Sequence, residues 1–331
     1  MPSPRVHVEA WDPSYGTPLA TDDGLAPSES DVDTEVETTQ WDPIRGEDDG
    51  VGEVWFVDGI RRVDARLTID REGAAPLAGL CGSHAVGAVH WDRLGRRSEV
   101  EHVRVERLSV VGDGQVVDFP SMGPLRYRSM SVAGGDPADL VSAFHGSMRR
   151  AEARLIADLA AAGGFVVGDG PVNDTADHEV VGYVKSHRVA YLSGAPADCI
   201  RALPPGHRTP LFLLGAAGSF PRYSWYLRLA AGPDGHGWYG VVRVEVAARL
   251  GVDRARRLAD RCAALLPLVA APAHTDARAP QNLVPIGALE RRLRRELGDV
   301  GLAHRALRAA TEHAVLAVSL GEGAVPAEAV A

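Results

Sequence analysis

The sequence predicts an α/β protein with a mixed sheet flanked by helices, preceded by an acidic N-terminal arm. Segments of alternating apolar and polar residues begin near Glu53 and indicate strands, and farther along the chain short apolar strands are interleaved with periodic helical stretches. With 331 residues, of which 45% are hydrophobic, the chain is long enough to bury a sizeable core. Neither a run of eighteen apolar residues nor a signal-peptide pattern occurs, so we expect a soluble cytoplasmic protein.

The acidity of the chain is concentrated in residues 1–50, which hold thirteen acidic side chains and two arginines. Because the whole chain has a formal net charge of −9, the remaining residues sum to +2, which does not exclude nucleic acid as a partner. Two Trp-Asp-Pro turns, at Trp11 and Trp41, and few apolar residues predict that this arm does not fold by itself. It is either a solvated tail or a segment that docks on a partner, on a second subunit or over a basic groove.

Strands dominate the chain directly after the arm. The segment EVWFVDGIRRVDARLTI alternates on both sides of Asp58-Gly59, and LCGSHAVGAVHW and EVEHVRVERLSVV follow, which predicts a three- or four-stranded antiparallel meander. Further predicted elements are a helix at about 137–162, short strands at 165–167 and 180–184, strands around 222–229 and 238–246, and three helical patterns toward the end. We place one domain at 51–320 and a flexible tail at 321–331.

A carboxylate interrupts the apolar stripe of the predicted long helix. Glu152 lies four residues after Met148 and three before Leu155, so at 3.6 residues per turn it points inward. An ionised carboxylate in an apolar setting costs several kcal/mol unless it is paired or binds a metal. The stripe itself consists of Leu140, Phe144, Met148, Leu155 and Leu159.

Two more carboxylates are expected where apolar strands end. Asp169 closes the segment GFVVGD, and Asp58 closes VWFVD. If Glu152, Asp58 and Asp169 converge on one point, the three carboxylates repel one another unless a cation lies between them. Oxygen ligands of this kind suit Mg²⁺ or Mn²⁺. Such a site supports phosphodiester hydrolysis, with two metal ions about 3.5–4 Å apart. The alternatives are a hairpin turn at Asp58-Gly59, a surface turn at GDGP, and pairing of Glu152 with an arginine.

Four sequence blocks resemble NurA-family nucleases. They are FVDGIRR, the helix glutamate followed by VVGDGP, then VVGYVKS, then YGVVRVEV, and the resemblance extends from about residue 53 to 298. It implies an RNase H-like or Piwi-like core, a homodimer, Mn²⁺-dependent processing of DNA ends, and docking on a hexameric ATPase of the HerA type that pumps duplex DNA. It also implies that Asp58, Glu152 and Asp169 are the metal ligands.

The single lysine of the chain belongs to one of these blocks. Lys185 occupies the Lys-Ser position of VVGYVKS, whereas every other cationic side chain apart from histidine is arginine. A compact ammonium differs from a guanidinium where a point charge must approach a phosphate or a bound water, so we expect Lys185 to contact a phosphate. Chance survival of one lysine codon is the alternative.

The C-terminal block departs from the family pattern. Gln281 stands where the family commonly has tyrosine, and Leu289 stands where it has histidine. A helix that begins near Pro285 places Glu290 in the apolar seam formed by Leu283, Ile286, Leu293 and Leu297. Glu290 either replaces the histidine as an oxygen ligand or base, or pairs with Arg294. Asn282 is a candidate to orient a phosphate or water.

Other chemistries find little support in the sequence. Cys81, Cys199 and Cys262 are far apart and lack CxxC spacing, which favours buried free thiols over a disulfide framework or a zinc site. The sequence has no P-loop, GxSxG or HExxH motif, and no strand-linked GxGxxG supports dinucleotide binding. Together with the three carboxylates, the resemblance to NurA-family nucleases implies metal-dependent DNA hydrolysis, in end resection, repair or defence against foreign DNA. The alternative is an inactive adaptor that dimerises and binds the ATPase, and RNA is a further possible substrate.

Overall fold

The computed structural model describes residues 26–27, 31–71, 74–172, 178–187, 189–215, 220–232, 237–313 and 318–320. Backbone packing divides the chain into two compact units. Unit 1 comprises Met1–Val57, Val89–Glu99 and Ile156–Ala288, and unit 2 comprises Asp58–Ala88, Val100–Leu155 and Leu289–Ala331.

The protein is a mixed α/β structure with a large mixed sheet flanked by helices. Its strands are β1 (Ala26–Pro27), β2 (Val32–Asp33), β3 (Ile44–Arg45), β4 (Glu53–Arg71), β5 (Ala74–Asp92), β6 (Arg97–Val111), β7 (Gln115–Val117), β8 (Arg128–Ser131), β9 (Val166–Asp169), β10 (Val180–Val184), β11 (Val189–Ala190), β12 (His207–Arg208), β13 (Phe212–Leu214), β14 (Arg222–Arg228), β15 (Val241–Ala247) and β16 (Val318–Leu320). The helices are α1 (Pro137–Ala161), α2 (Ala195–Ala202), α3 (Val252–Leu265), α4 (Val284–Leu297) and α5 (Val300–His313).

The strand order of the large sheet is β2-β13-β14-β15-β10-β9-β4-β5-β6-β8, with β12 pairing to β14 and β3. Strand β9 pairs in parallel with β10 and with β4, whereas β10, β15, β14 and β13 form antiparallel pairs. The predicted strand at 180–184 and the predicted long helix are confirmed as β10 and α1, and all five apolar residues of the helix stripe are buried. The short helix α2 was not predicted.

One expected chain reversal is wrong. The sequence placed the end of a strand, or a hairpin turn, at Asp58-Gly59, but β4 runs through both residues without a break from Glu53 to Arg71. A two-residue hairpin turn requires a positive φ, and Gly59 is not among the positive-φ glycines of the chain. The turn after Asp169 does occur, because β9 ends there and Gly170 has a φ of 110°.

Unit 1 includes part of the acidic arm. Strands β2 and β3 pair with β13 and β12, and the Trp41 ring lies 6.5 Å from that of Phe212. The Glu37 carboxylate accepts hydrogen bonds from Arg208 at 2.9 Å and from the backbone N–H of Leu211 at 2.7 Å. Residues 31–50 therefore contact the chain's own sheet. Trp11 and the tail at 321–331 lie outside the described residues, and the domain boundaries stay a prediction.

In unit 2 helices pack on both faces of β5, whose side chains alternate between the faces. On one face, a Cβ atom on Gly82 would lie 2.5 Å from the Phe144 ring of α1. On the other face, a Cβ atom on Gly87 would lie 3.2 Å from Leu289 of α4. Even-numbered residues of β5 near this point therefore face α1, and odd-numbered residues face α4.

The cysteines are free and buried, as the sequence predicts. Within the described ranges, none of the helices is long and apolar enough to cross a membrane.

Candidate metal centre

In unit 1 an aspartate and the single lysine lie at neighbouring strand ends. Asp169 is the last residue of β9, and its predecessor Gly168 pairs with Val57 of β4. Lys185 directly follows β10, and its Nζ atom lies 2.6 Å from Oδ2 of Asp169. The Lys185 side chain is only 10% exposed and that of Asp169 17% exposed, so the ion pair is largely shielded from solvent. The parallel pairing of β9 with β10 brings the two groups together, since both side chains follow the same edge of the sheet.

A buried asparagine also holds the ammonium group of Lys185 in place. Lys185 Nζ donates to Oδ1 of Asn282 at 3.0 Å, and Nδ2 of Asn282 donates to Oδ2 of Asp276 at 2.6 Å. Although burial raises the pKa of Asp276, hydrogen bonds from the backbone N–H of Arg278 and from Asn282 outweigh it and lower that pKa. Asp276 therefore stays ionised and holds the amide of Asn282 with its oxygen toward the lysine.

Tyr183 and Gln281 are buried next to the Asp169–Lys185–Asn282 contacts. Tyr183 is fully buried, and its hydroxyl donates to the backbone carbonyl of Gln281 at 2.7 Å. Burial raises the pKa of Tyr183, and the negative charge of Asp169 raises it further, so the phenol is neutral. Gln281, in the family's tyrosine position, is 3% exposed, which places a buried polar side chain next to Asn282.

In unit 2 Asp58 and Glu290 are both buried carboxylates, 7% and 5% exposed. Asp58 Oδ1 accepts a hydrogen bond from the backbone N–H of Gly59 at 2.7 Å. Neighbouring residues of a strand point to opposite faces, and Gly59 faces α1, because a Cβ atom there would lie 2.5 Å from Oε1 of Glu152. Asp58 therefore points to the face that α4 covers, and α4 carries Glu290.

Within unit 1, the alternation of side chains along β9 gives the orientation of Asp169 relative to α1. A Cβ atom on Gly168 would lie 2.9 Å from Ile156 of α1, so Gly168 faces that helix. Its neighbour Asp169 consequently points away from α1.

The structure groups Asp58 and Asp169 with Glu290. One carboxylate oxygen from each of the three residues lies within 4.8 Å of the other two, and this set, here called the acidic cluster, can hold a metal ion. All three ligands are oxygens, the donor type that Mg²⁺ and Mn²⁺ prefer. Like charges at this separation repel strongly in a poorly solvated site, so a divalent cation between them removes an electrostatic cost.

Glu152 is not part of the acidic cluster formed by the described residues. It is half-buried on α1, and its carboxylate occupies the space that a side chain at position 59 would fill. The inward orientation expected from its helix position agrees with this contact. Its assignment as a metal ligand stays a prediction, because it approaches the strand from the α1 face whereas Asp58 points to the other face.

Glu290 lies close both to Arg294 and to the two aspartates of the acidic cluster. The apolar seam of α4 is confirmed, since Leu283, Ile286, Leu293 and Leu297 are all buried. Glu290 belongs to the acidic cluster, and its Oε2 also lies 3.5 Å from Nη2 of Arg294. The Arg294 side chain is 53% exposed, so this ion pair is weak.

Sequence reasoning did not foresee Asp276. Its only signal was its position six residues before Asn282 in a segment with two prolines, which predicts a turn rather than a site.

No protein-family model matches this sequence, and no curated protein is significantly similar to it. The resemblance to NurA-family nucleases therefore rests on the four sequence blocks.

Proposed function

We propose that this protein is a metal-dependent nuclease that hydrolyses phosphodiester bonds of DNA. The observation that carries the proposal is the acidic cluster, in which three buried or half-buried carboxylates approach within 4.8 Å. Three carboxylates this close repel one another, and a divalent cation between them would remove that electrostatic cost. The ammonium of Lys185 contacts Asp169 and the guanidinium of Arg294 contacts Glu290. The arrangement fits one or two Mn²⁺ or Mg²⁺ ions, which would activate a water molecule and neutralise charge on the phosphate.

The side chains around the cluster have distinct roles in this proposal. Asp58, Asp169 and Glu290 hold the cation. The ammonium of Lys185 is held between Asp169 and Asn282, and it neutralises a non-bridging oxygen of the scissile phosphate. Asn282 keeps that ammonium in place because its own amide is anchored to Asp276.

Tyr183 is neutral, so it adds no negative charge to the site. Its hydroxyl hydrogen is engaged by the Gln281 carbonyl, so Tyr183 positions the segment that carries Asn282 and does not transfer a proton. Leu289 is fully buried where the family has histidine, so the proposal has no role for a general base at that position. Glu290, one residue farther along α4, supplies an oxygen instead.

The wider assignments come with the family resemblance and belong to this proposal. They are an RNase H-like core, a homodimer, and action on DNA delivered by a HerA-type hexameric translocase during end processing or defence. The large mixed sheet with flanking helices is compatible with such a core. Glu152 remains a candidate ligand for a second ion, because its carboxylate reaches the backbone of Gly59, next to Asp58.

The proposal is tested by degradation of end-labelled linear DNA with Mn²⁺, Mg²⁺ or EDTA. We expect cleavage by the wild type with Mn²⁺ and a loss of at least about a hundredfold for Asp58→Asn and Asp169→Asn, since each removes a charged ligand. Glu296→Gln, on the exposed side of α4, is the matched control and should retain activity. Absence of cleavage under every metal, with and without a co-expressed translocase, would leave the inactive adaptor as the better description.

A further inference from the structure

Unit 2 contains a cavity that the acidic cluster does not use. Its volume is about 200 Å³, and it lies between α1 and the face of β5 and β6 that this helix covers. The lining residues are His84, Val86, Arg104, Glu106, Ala151 and Arg154. The residues of each strand are two apart, so they project to the same side of the sheet.

Positive charge dominates this cavity. Arg104 and Arg154 are exposed, and within the described part of the chain neither is paired with a carboxylate. The single acidic group of the lining, Glu106, is already approached by Arg128 at 3.5 Å. Among the described residues, the lining therefore presents two guanidinium groups without an ion pair beside a single carboxylate, which leaves an excess of positive charge.

The buried polar side chain of the cavity is His84, which is 1% exposed. Among the described residues its Nδ1 atom has no hydrogen-bond partner. Burial lowers the pKa of His84, Glu106 acts in the opposite direction, and the charges of Arg128, Arg154 and Arg150 lower that pKa further. The ring is therefore neutral near pH 7 and lies in the field of several arginines, an environment that favours an anion.

A hydrolytic Ser-His-acid triad does not explain the same residues. Ser147 Oγ lies 3.4 Å and Glu106 Oε2 lies 3.9 Å from Nε2 of His84, so both approach one nitrogen. A triad needs the hydroxyl and the carboxylate on different ring nitrogens.

The size of the cavity selects small ligands. Because one water occupies ~30 Å³ of liquid, a volume of about 200 Å³ holds roughly six or seven waters, or a phosphate group with part of its hydration shell. Pockets for drug-sized ligands begin at about 300 Å³. Guanidinium groups bind phosphate oxygens in bidentate geometry, which matches the exposed arginines here.

The cavity also lies next to the residues that adjoin Asp58. Ala151 and Arg154 flank Glu152 on α1, and Val86 Cγ1 lies 3.0 Å from the position of a Cβ atom on Gly59. We propose that Arg104 and Arg154 bind a phosphate group of the nucleic acid at this cavity and so anchor the substrate at a point remote from the phosphodiester that is cleaved. This inference rests on the proposed nuclease function, and it assigns a substrate-binding site that lies on the opposite face of β4 from Asp58.

The test separates binding from cleavage. A fluorescein-labelled single-stranded DNA with a 5′-hydroxyl end is titrated in EDTA, and fluorescence anisotropy is followed over a range of salt concentrations. The double variant Arg104→Gln/Arg154→Gln should bind about tenfold more weakly. The slope of log K against log salt should fall by ~0.7 for each phosphate that the variant no longer neutralises.

The control is Arg292→Gln/Arg308→Gln, which removes the same charge from two exposed arginines that are already paired with glutamates. It should leave the affinity and slope close to those of the wild type. A preference of the wild type for a 5′-phosphorylated strand, abolished in the double variant, identifies the group as a terminal phosphate. Equal affinity for both strands identifies a backbone phosphate.

Equal affinity and slope for the double variant and the wild type would overturn the inference. Binding in EDTA does not need the acidic cluster, so a loss of binding only in the double variant supports this site even when Mn²⁺ produces no cleavage. An absence of cleavage with Mn²⁺ would count against the nuclease function but not against this binding site. Matching thermal unfolding of the two double variants shows that both are folded.

Discussion

Glu290→Gln is expected to stabilise the metal-free protein. Two full negative charges 4.8 Å apart repel by about 3.5 kcal/mol at an effective dielectric constant of 20. Glu290 contributes to two such pairs, but Lys185 offsets the charge of Asp169 and Arg294 offsets that of Glu290. The neutral amide keeps the shape of the side chain, so we expect a net gain on the order of 1–3 kcal/mol in the free energy of unfolding.

The same substitution should weaken the response to Mn²⁺. For 331 residues the entropy of unfolding is roughly 0.7 kcal/mol/K, so each kcal/mol corresponds to about 1.4 °C in Tm. The variant without metal should therefore melt about 1–4 °C higher than the wild type. At a Mn²⁺ concentration a hundredfold above Kd, the wild type should gain about 2.7 kcal/mol, or about 4 °C, and the variant clearly less.

Differential scanning fluorimetry in EDTA and across a Mn²⁺ titration measures both effects. Glu296→Gln is the control, because Glu296 is on the same helix in an exposed ion pair with Arg292. Its metal response should match that of the wild type. A Glu290→Gln protein that melts lower in EDTA and gains the same Mn²⁺ stabilisation would refute the reasoning, and would mean that Glu290 does not bind the metal.

Three further predictions concern the surrounding structure. Burial lowers the pKa of His187 to about 4, so the contribution of its neutral ring to stability is complete above pH 6.5. Roughly 2 kcal/mol of the free energy of unfolding is lost when the pH falls to 5. Urea unfolding above pH 6.5 and at pH 5 should show a smaller loss of stability for His187→Gln than for the wild type. Arg228→Met should cost at least about 3 kcal/mol in urea unfolding, because the buried guanidinium donates to the backbone carbonyls of Leu203, Gly237 and Tyr239. Lys185→Arg keeps the charge but not its compact form, so DNA cleavage should fall at least about tenfold with unchanged melting in EDTA.

Much of the fold follows from patterns in the sequence. The apolar stripe of α1 and the continuous apolar run of β10 are strong local signals, and both elements lie where the sequence placed them. The break expected at Asp58-Gly59 did not occur, because a good turn dipeptide does not outweigh long strand-forming segments on both sides of it. A local motif cannot report the pairing of β4 with its neighbours.

The candidate site was predictable only in part. Asp169 and Lys185 were identified from the chain, and their proximity follows from parallel strands that end at one edge. Glu152 was expected to join Asp58 because its helix position points inward, but helical periodicity does not tell which face of the sheet the helix covers. Glu290 reaches the acidic cluster because α4 covers the other face, which no local pattern shows.

The most direct test of the account is a crystal structure of the protein soaked with Mn²⁺, with anomalous diffraction used to locate the metal. The account predicts an anomalous peak coordinated by Asp58, Asp169 and Glu290, and its loss in the Asp169→Asn variant. A fully occupied peak elsewhere, or none at millimolar Mn²⁺, would contradict the claim that this acidic cluster is a metal centre.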